Sequence, residues 1–563
     1  MRVRHANSRT AVTGTAALAI LLGSVCLVGA GTQTAAADSS ATLPISADWP
    51  RGEMVVDGVH HHVFISDPKT NSVVVADYTG KTVGRITAET SGTGMALSED
   101  SSTLYVALPD ADAISAVDTV TLKETARYAT GAHTAPLDLA FAGGKLWFGY
   151  GAYAQGGGNI GFLDLSAAKP GVTLNQSGGV PWESAPQLTT APGGDQGVLV
   201  AGNKDRSPEE LAVYDVSSGT ARKLAYRKQI MPDSLGGQED LAVSPDGKEI
   251  VTADGVDDFV THLRPDLSGG QDTRTLEIQG EPNAVQYAPN GALAVGVRYG
   301  KDVDTYVYRP GDSRATRFIS TGDYNTVQPH GLAWAPDSSK LFILTSDGAG
   351  GKNLVLRSFD DATKAMTKLS VSAPAKSPLD QKLTLTGKFD LTLPRLPDTL
   401  PIEVTRTDLA SPKGKSLGTH TVWLSRDGEF EIEDTPAAGG TVTYTLHYPG
   451  DATHAPATVT ATVKVPRNRT TLTLDGNGKT VTSGKKATLT AKLGRTWKER
   501  KVSVYAQPAG GAKKLVRAAA VDRAGKLVIT YKVTRNTIFT AVFGGDARTE
   551  PAQATSTIKV SAR

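Results

Sequence analysis

Cysteine is all but missing from this chain: 563 residues contain one, Cys26, inside an N-terminal apolar stretch. Once that stretch is removed no thiol remains, so disulfides and cysteine-ligated metals are excluded and stability must come from burial in sizeable domains. Long apolar runs are just as scarce. Residues 16–30 form one, too short and too rich in Gly, Ser and Ala to anchor in a bilayer, and no second stretch is long enough to span one. Arg2, Arg4 and Arg9 precede it and Ala35-Ala36-Ala37 follows, so residues 1–37 read as a secretory signal cleaved after Ala37. Val25 in front of Cys26 argues against a lipid anchor. Helical periodicity is nearly absent. No phosphate loop, no His-Glu-x-x-His and no complete EF-hand loop occurs. An enzyme is not thereby excluded, since a site can be assembled from separate repeats.

What the chain does have is a repeat. Met95-Ala-Leu-Ser-Glu-Asp, Leu241-Ala-Val-Ser-Pro-Asp-Gly and Leu332-Ala-Trp-Ala-Pro-Asp each precede a β-branched or aromatic strand phrase. Aligned copies start at Met54, Met95, Leu139, Leu188, Leu241, Val285 and Leu332, the fourth being the poorest. The turns carry Pro to preset φ, Asp to bond its own backbone and Gly to supply positive φ. A third strand often ends in Asp, as at Asp118, Asp164 and Asp215. Seven units of this length and grammar predict a seven-bladed β-propeller over residues 38–367.

Beyond residue 367 the grammar changes and two segments align with each other, residues 368–465 and 466–563. Tyr448-Pro-Gly-Asp451 matches Phe543-Gly-Gly-Asp546, and Lys382-Leu-Thr-Leu-Thr matches Ala487-Thr-Leu-Thr. Each reads as an immunoglobulin-like β-sandwich of some seven short strands without the disulfide. The predicted fold class is therefore all-β, a seven-bladed propeller followed by two Ig-like sandwiches.

These phrases resemble the YVTN and YncE-like seven-bladed propellers, and the tail is similar to bacterial Ig-like repeats that end in an aromatic-x-Gly-Asp signature. Together they resemble secreted actinobacterial proteins. The resemblance implies an extracytoplasmic, surface-associated protein and leaves its activity open.

Charge separates the ends. Residues 466–563 carry 20 Lys and Arg against 5 Asp and Glu, or +15, while the rest of the chain after residue 37 is −16. Such asymmetry points to an anionic partner for the tail. Arg495, Trp497, Lys498, Arg500, Lys501, Lys513, Lys514 and Arg517 flank one strand, Val502-Ser-Val-Tyr505, and are expected to form a basic face with an exposed Trp for a polyanion such as a cell-wall polymer. The acidic propeller argues against nucleic acid as its partner, and no nucleic-acid partner, membrane span or cofactor is expected; the protein is expected to be a secreted or wall-associated monomer.

In a propeller the residues just ahead of each inner strand ring the axis. Glu239, Asp240, Asn283, His330 and Asp138 stand there and are the candidate ligand-binding residues. A carboxylate, an amide and an imidazole from adjacent blades suit a hydrated divalent ion or a polar ligand. Two readings follow. One is a non-catalytic interaction protein, its propeller binding an extracellular protein or other ligand and its basic repeat tethering it to the wall. The other is a metal-assisted lactonase or lyase using Glu239 and His330. His60-His61-His62 puts only His60 and His62 on one face of a strand, so no metal site is expected there. Gly414-Lys-Ser-Leu-Gly418 matches a hydrolase pentapeptide but lacks the strand–turn–helix that chemistry needs.

Overall fold

The computed structural model describes residues 39–46, 52–152, 157–192, 197–203, 209–230, 237–256, 258–270, 276, 278–298, 303–321, 326–346, 352–390 and 396–562. The expected signal segment and Cys26 lie outside the described residues. Apart from two 3-10 turns, Pro68–Thr70 and Pro109–Ala111, the regular structure is all strand.

Each of the first six copies of the repeat folds into a four-stranded antiparallel sheet whose strands follow one another in chain order. The first is Met54–Asp57, His62–Asp67, Ser72–Asp77 and Thr82–Thr87. Side chains beside each turn fix it. In Ser244-Pro-Asp-Gly247 the Ser244 hydroxyl donates to Asp246 Oδ1 at 2.7 Å, the same oxygen accepts the Lys248 N–H at 3.1 Å, and Gly247 takes a φ of +67°, as this turn chemistry requires. The aspartates that end third strands act likewise, Asp118 accepting the Thr121 N–H at 2.6 Å and Asp215 the Ser217 N–H at 3.0 Å. His60 and His61 sit in the turn before His62, not along a strand as the sequence suggests; His60 Nδ1 lies 2.7 Å from Asp57.

Among the described residues of 39–360 there are seven four-stranded sheets, and the innermost strand of each touches that of the next, the last touching the first. Seven apolar clusters fill the seams, each drawn from two neighbouring sheets. Phe64, Val73, Met95 and Leu104 fill the first seam, and Val251, Val285, Val295 and Tyr306 the fifth. A lone meander would leave both apolar faces wet, and packing in a ring buries them. This is a β-propeller. Its last sheet takes its outer strand from the start of the chain: Ser39–Ser46 pairs antiparallel with Asn353–Asp360 and buries Leu43 and Ile45. The sequence reading starts the first sheet at Met54 and does not anticipate this strand, whose partner is 319 residues away.

The remaining strands form two sandwiches, each around one cluster. In the first, a sheet of Leu369–Ser372, Leu383–Phe389 and Glu429–Asp434 covers a sheet of Ser411–Trp423, Thr399–Asp408, Gly440–Tyr448 and Ala457–Val465. Gly414-Lys-Ser-Leu-Gly418 lies within its strand Ser411–Trp423. In the second, Leu472–Leu474, Lys486–Leu493 and Lys526–Lys532 cover five strands, including Thr480–Thr482 running parallel to Ala552–Ser561. That is one strand more than the seven expected.

The copies differ at one instructive contact. Gly387 faces Phe430 across the first sandwich's smaller sheet, and a Cβ on Gly387 would overlap the Phe430 ring. In the second, the corresponding pair is Ala491 opposite Leu527. Gly387→Ala is therefore expected to cost about 2 kcal/mol through overpacking. Adding Phe430→Leu should recover part of that loss, and thermal unfolding of both singles and the double would show the pair to be non-additive.

Candidate functional site

At the mouth of the ring the acids are built into the backbone. Asp138 stands at the start of the third inner strand, where Oδ1 accepts the Leu139 N–H at 2.8 Å and Oδ2 accepts Leu188 N–H of the fourth at 3.1 Å. Asp240 repeats this two sheets on: Oδ1 accepts Leu241 N–H at 2.8 Å and Oδ2 accepts Val285 N–H of the sixth at 2.9 Å. Glu53, one residue before Met54, accepts Met95 N–H of the second sheet at 2.5 Å. In the first, third and fifth sheets, the carboxylate one residue ahead of the aligned apolar position thus closes the open backbone donor of the next sheet. Gly94, Gln187 and Ala284 stand at that position in the second, fourth and sixth. At Gly94 a Cβ would collide with the Asp138 backbone, so the close approach of two inner strands requires glycine there.

Around this frame lies a compact polar knot. Gln187 Nε2 reaches Asp240 Oδ1 and His330 Nδ1, both at 3.2 Å, while its own Oε1 accepts from Gln238 at 2.7 Å. His330 Nδ1 is 2.9 Å from Asp240 Oδ1. His330 sits at a register break in its strand with a φ of +56°, a left-handed conformation uncommon outside glycine. Its Nε2 is buried without a hydrogen-bond partner among the described residues. Gly52, Glu53, Gly94, Leu137, Asp138, Gln187 and His330 line the space left at the axis. That space is about 20 Å³, room for one water.

The five candidates of the sequence do not all converge. Asp138 and His330 line the axial space, and Asp240 joins them through Gln187 and His330. Glu239 turns aside to pair with Arg298 at 3.2 Å. Asn283 is buried and donates to the Val327 carbonyl at 2.6 Å. Glu239 and His330, paired in the lactonase reading, thus face different partners. Among the described residues no group of three or more His, Cys, Asp or Glu is arranged to hold a metal. A recess the sequence did not signal lies at the far ends of the fifth and sixth inner strands. It measures about 440 Å³ and is lined by Asp246, Lys248, Glu249, Tyr287 and Asn290 among others.

In the second sandwich Asp546 of the Gly-Gly-Asp signature organises the basic turn. Its Oδ2 accepts the N–H groups of Trp497 and Lys498, each at 3.1 Å, and its Oδ1 that of Arg548 at 2.9 Å. Burial alone would raise this carboxyl; the N–H groups hold it below the ordinary aspartate value. Trp497 is held exposed, with Lys498 Nζ 4.3 Å and the Arg548 guanidinium 5.6 Å from its ring centre. Arg548 also pairs with Asp380 of the first sandwich. Lys501 and Lys514 lie on paired strands, as expected, but at opposite ends of the ladder. Lys513 covers Tyr505 at 5.1 Å. Arg500 and Arg517 donate to the Asp522 and Val528 carbonyls, both at 2.9 Å, and Arg495 is exposed. These eight residues, the basic rim flanking the strand Lys501–Pro508, thus have different partners and do not meet at one point.

No family model and no curated protein matches the chain. Solved structures match part of it. Hydrazine synthase of Kuenenia stuttgartiensis shares 17% identity, covering 54% of this chain and 94% of that one at a TM-score of 0.41. The Cps50 (Swd1) β-propeller domain of Myceliophteria thermophila shares 12%, covering 57% and 99% at 0.39. The dihydro-heme d1 dehydrogenase NirN, in complex with DHE, shares 13%, covering 71% and 80% at 0.37. These likenesses are too remote to bear on ligand or chemistry, so what the protein binds has to be read from its own residues.

Proposed function

We propose that the chain is an exported, non-catalytic interaction protein: a seven-bladed propeller that recognises a ligand or extracellular protein, an Ig-like spacer over residues 368–465, and a basic Ig-like repeat over 466–563 that tethers the molecule to an anionic wall polymer. The observation that carries this reading is the division of charge, +15 on the last repeat against −16 on the rest after residue 37. The first repeat aligns with the second without sharing its excess of cations, so the fold does not impose the charge. The recess of about 440 Å³ between the fifth and sixth sheets has the size and mixed polar lining of a small-ligand site. The axial residues support recognition less well, because Asp138 and Asp240 are occupied by backbone donors.

The test is retention. Purified protein should sediment with isolated anionic cell walls at low salt and come off as salt rises, the midpoint shifting with screening. Retention that is unchanged up to about 1 M salt refutes the electrostatic tether.

A further inference from the structure

The smaller sheet of the second sandwich turns its outer side to solvent, and that side carries two lysine doublets. Lys486–Leu493 pairs with Lys526–Lys532 so that Lys486 stands opposite Lys532 and Lys492 opposite Lys526. All four side chains are exposed. Within each strand the two lysines are six residues apart, an even spacing that puts them on one side of the sheet. The doublets are therefore roughly 20 Å apart along the strands. Thr488, Thr490, Val528 and Thr530 lie between them on the same side.

Like charges directly opposite each other destabilise a sheet, and no ion pair relieves any of these four among the described residues. The first sandwich shows what a structural version of the same sheet looks like. Lys388 stands opposite Glu429 with 3.3 Å between charged atoms, and Lys382 reaches Glu433 at 2.5 Å. Lys382 and Lys388 correspond to Lys486 and Lys492; Glu429 corresponds to Lys526. The second copy keeps the lysines and replaces their glutamate counter-ions with more lysine and with threonine. The fold gains nothing from that exchange.

We infer that this lysine-lined side of the Lys486–Leu493 and Lys526–Lys532 strands is the docking surface for a linear phosphodiester polymer, whose phosphates replace the absent glutamates. The inference deepens the tether reading and rests on it. Lysines are compact point charges with freely turning donors, suited to phosphates spaced along a flexible chain, whereas the guanidinium forks of Arg500 and Arg517 are engaged by backbone carbonyls. The floor between the doublets is threonine and valine. It offers no exposed ring for a base to stack on, which favours a base-free polymer over nucleic acid.

The test uses the full chain and poly(glycerol phosphate) as probe. Lys486, Lys492, Lys526 and Lys532 are changed together to Gln, and separately the rim lysines Lys498, Lys501, Lys513 and Lys514. The sheet variant is expected to lose at least tenfold in affinity, and its log–log salt slope should fall by about 3. The rim variant should lose several-fold less. Lys526→Glu, which rebuilds the Lys388–Glu429 pair of the first sandwich, should raise the melting temperature while weakening binding, a pair of opposite signs that misfolding cannot produce. Equal losses in the two quadruple variants would overturn the assignment of the site and leave the tether standing. Wild-type protein that binds neither the polymer nor walls would overturn both. Tighter binding to single-stranded DNA of equal charge would overturn the base-free occupant.

Discussion

Asp240→Ala is expected to cost the propeller about 4 kcal/mol, since it strips the partner from several buried donors at once. One carboxylate holds Leu241 N–H at 2.8 Å, Val285 N–H at 2.9 Å and Gln187 Nε2 at 3.2 Å, and it lies 2.9 Å from His330 Nδ1. Asp240 is only 4% exposed, so water cannot take over these bonds. Asp240→Asn keeps the shape but presents a donor where acceptors are needed, and about half of the loss is expected to remain. Asp138→Ala, with two backbone donors orphaned, should cost less. Denaturant unfolding monitored by the propeller tryptophans checks all three. An Asp240→Ala protein of wild-type stability that has lost a ligand would show instead that the carboxylate serves binding, restoring the reading taken from sequence.

Glu209→Gln is expected to have the opposite sign and a comparable size. Burial pushes the Glu209 carboxyl up to about 8, with Asp254 pushing the same way and the Thr252 hydroxyl and Arg227 charge offsetting only part. Its folded value thus lies above the unfolded 4.5. Between those values the folded state holds a proton that the unfolded state has released, so stability is full below pH 4.5 and declines as pH rises toward 8. At pH 7 the deficit is about 3 kcal/mol, and the neutral amide removes it. Glu89 adds a loss of the same sign over a narrower pH range. Burial raises its carboxyl to about 7, and the Ser115 hydroxyl, 3.2 Å from Oε1, pulls back in part. Melting temperatures at pH 5 and pH 8 should converge in the Glu89→Gln, Glu209→Gln double variant and diverge in the wild type. Equal pH slopes in the two proteins would refute the assignment.

The repeated sheets and the two sandwiches were legible because their signals are local. Pro, Asp and Gly at fixed offsets mark the turns, and period-two alternation marks the strands. The strand Ser39–Ser46 was not legible, because only its distant partner makes it a strand. The axial residues were found by position, yet their roles were not: Asp138 and Asp240 look like free carboxylates until the neighbouring N–H groups are in place. Glu53 and Gln187 matter as much and carry no motif. In the basic repeat, counting charge singles out a module and its densest strand flanks, but not which side chains meet across a sheet. The densest lysines and arginines flank one strand in sequence, whereas the members of each lysine doublet sit one strand apart in space and 46 or 34 residues apart in sequence. Only the register Lys486↔Lys532 and Lys492↔Lys526 brings them together.

The way the last sheet is closed also decides how the molecule bears load. The chain leaves the ring through Asn353–Asp360, which lies between Ser39–Ser46 on one side and Lys340–Ser346 on the other. Had the exit been an outermost strand, tension from the sandwiches would peel it away one hydrogen bond at a time. Clamped on both sides, it can be pulled out only by breaking two ladders rather than one.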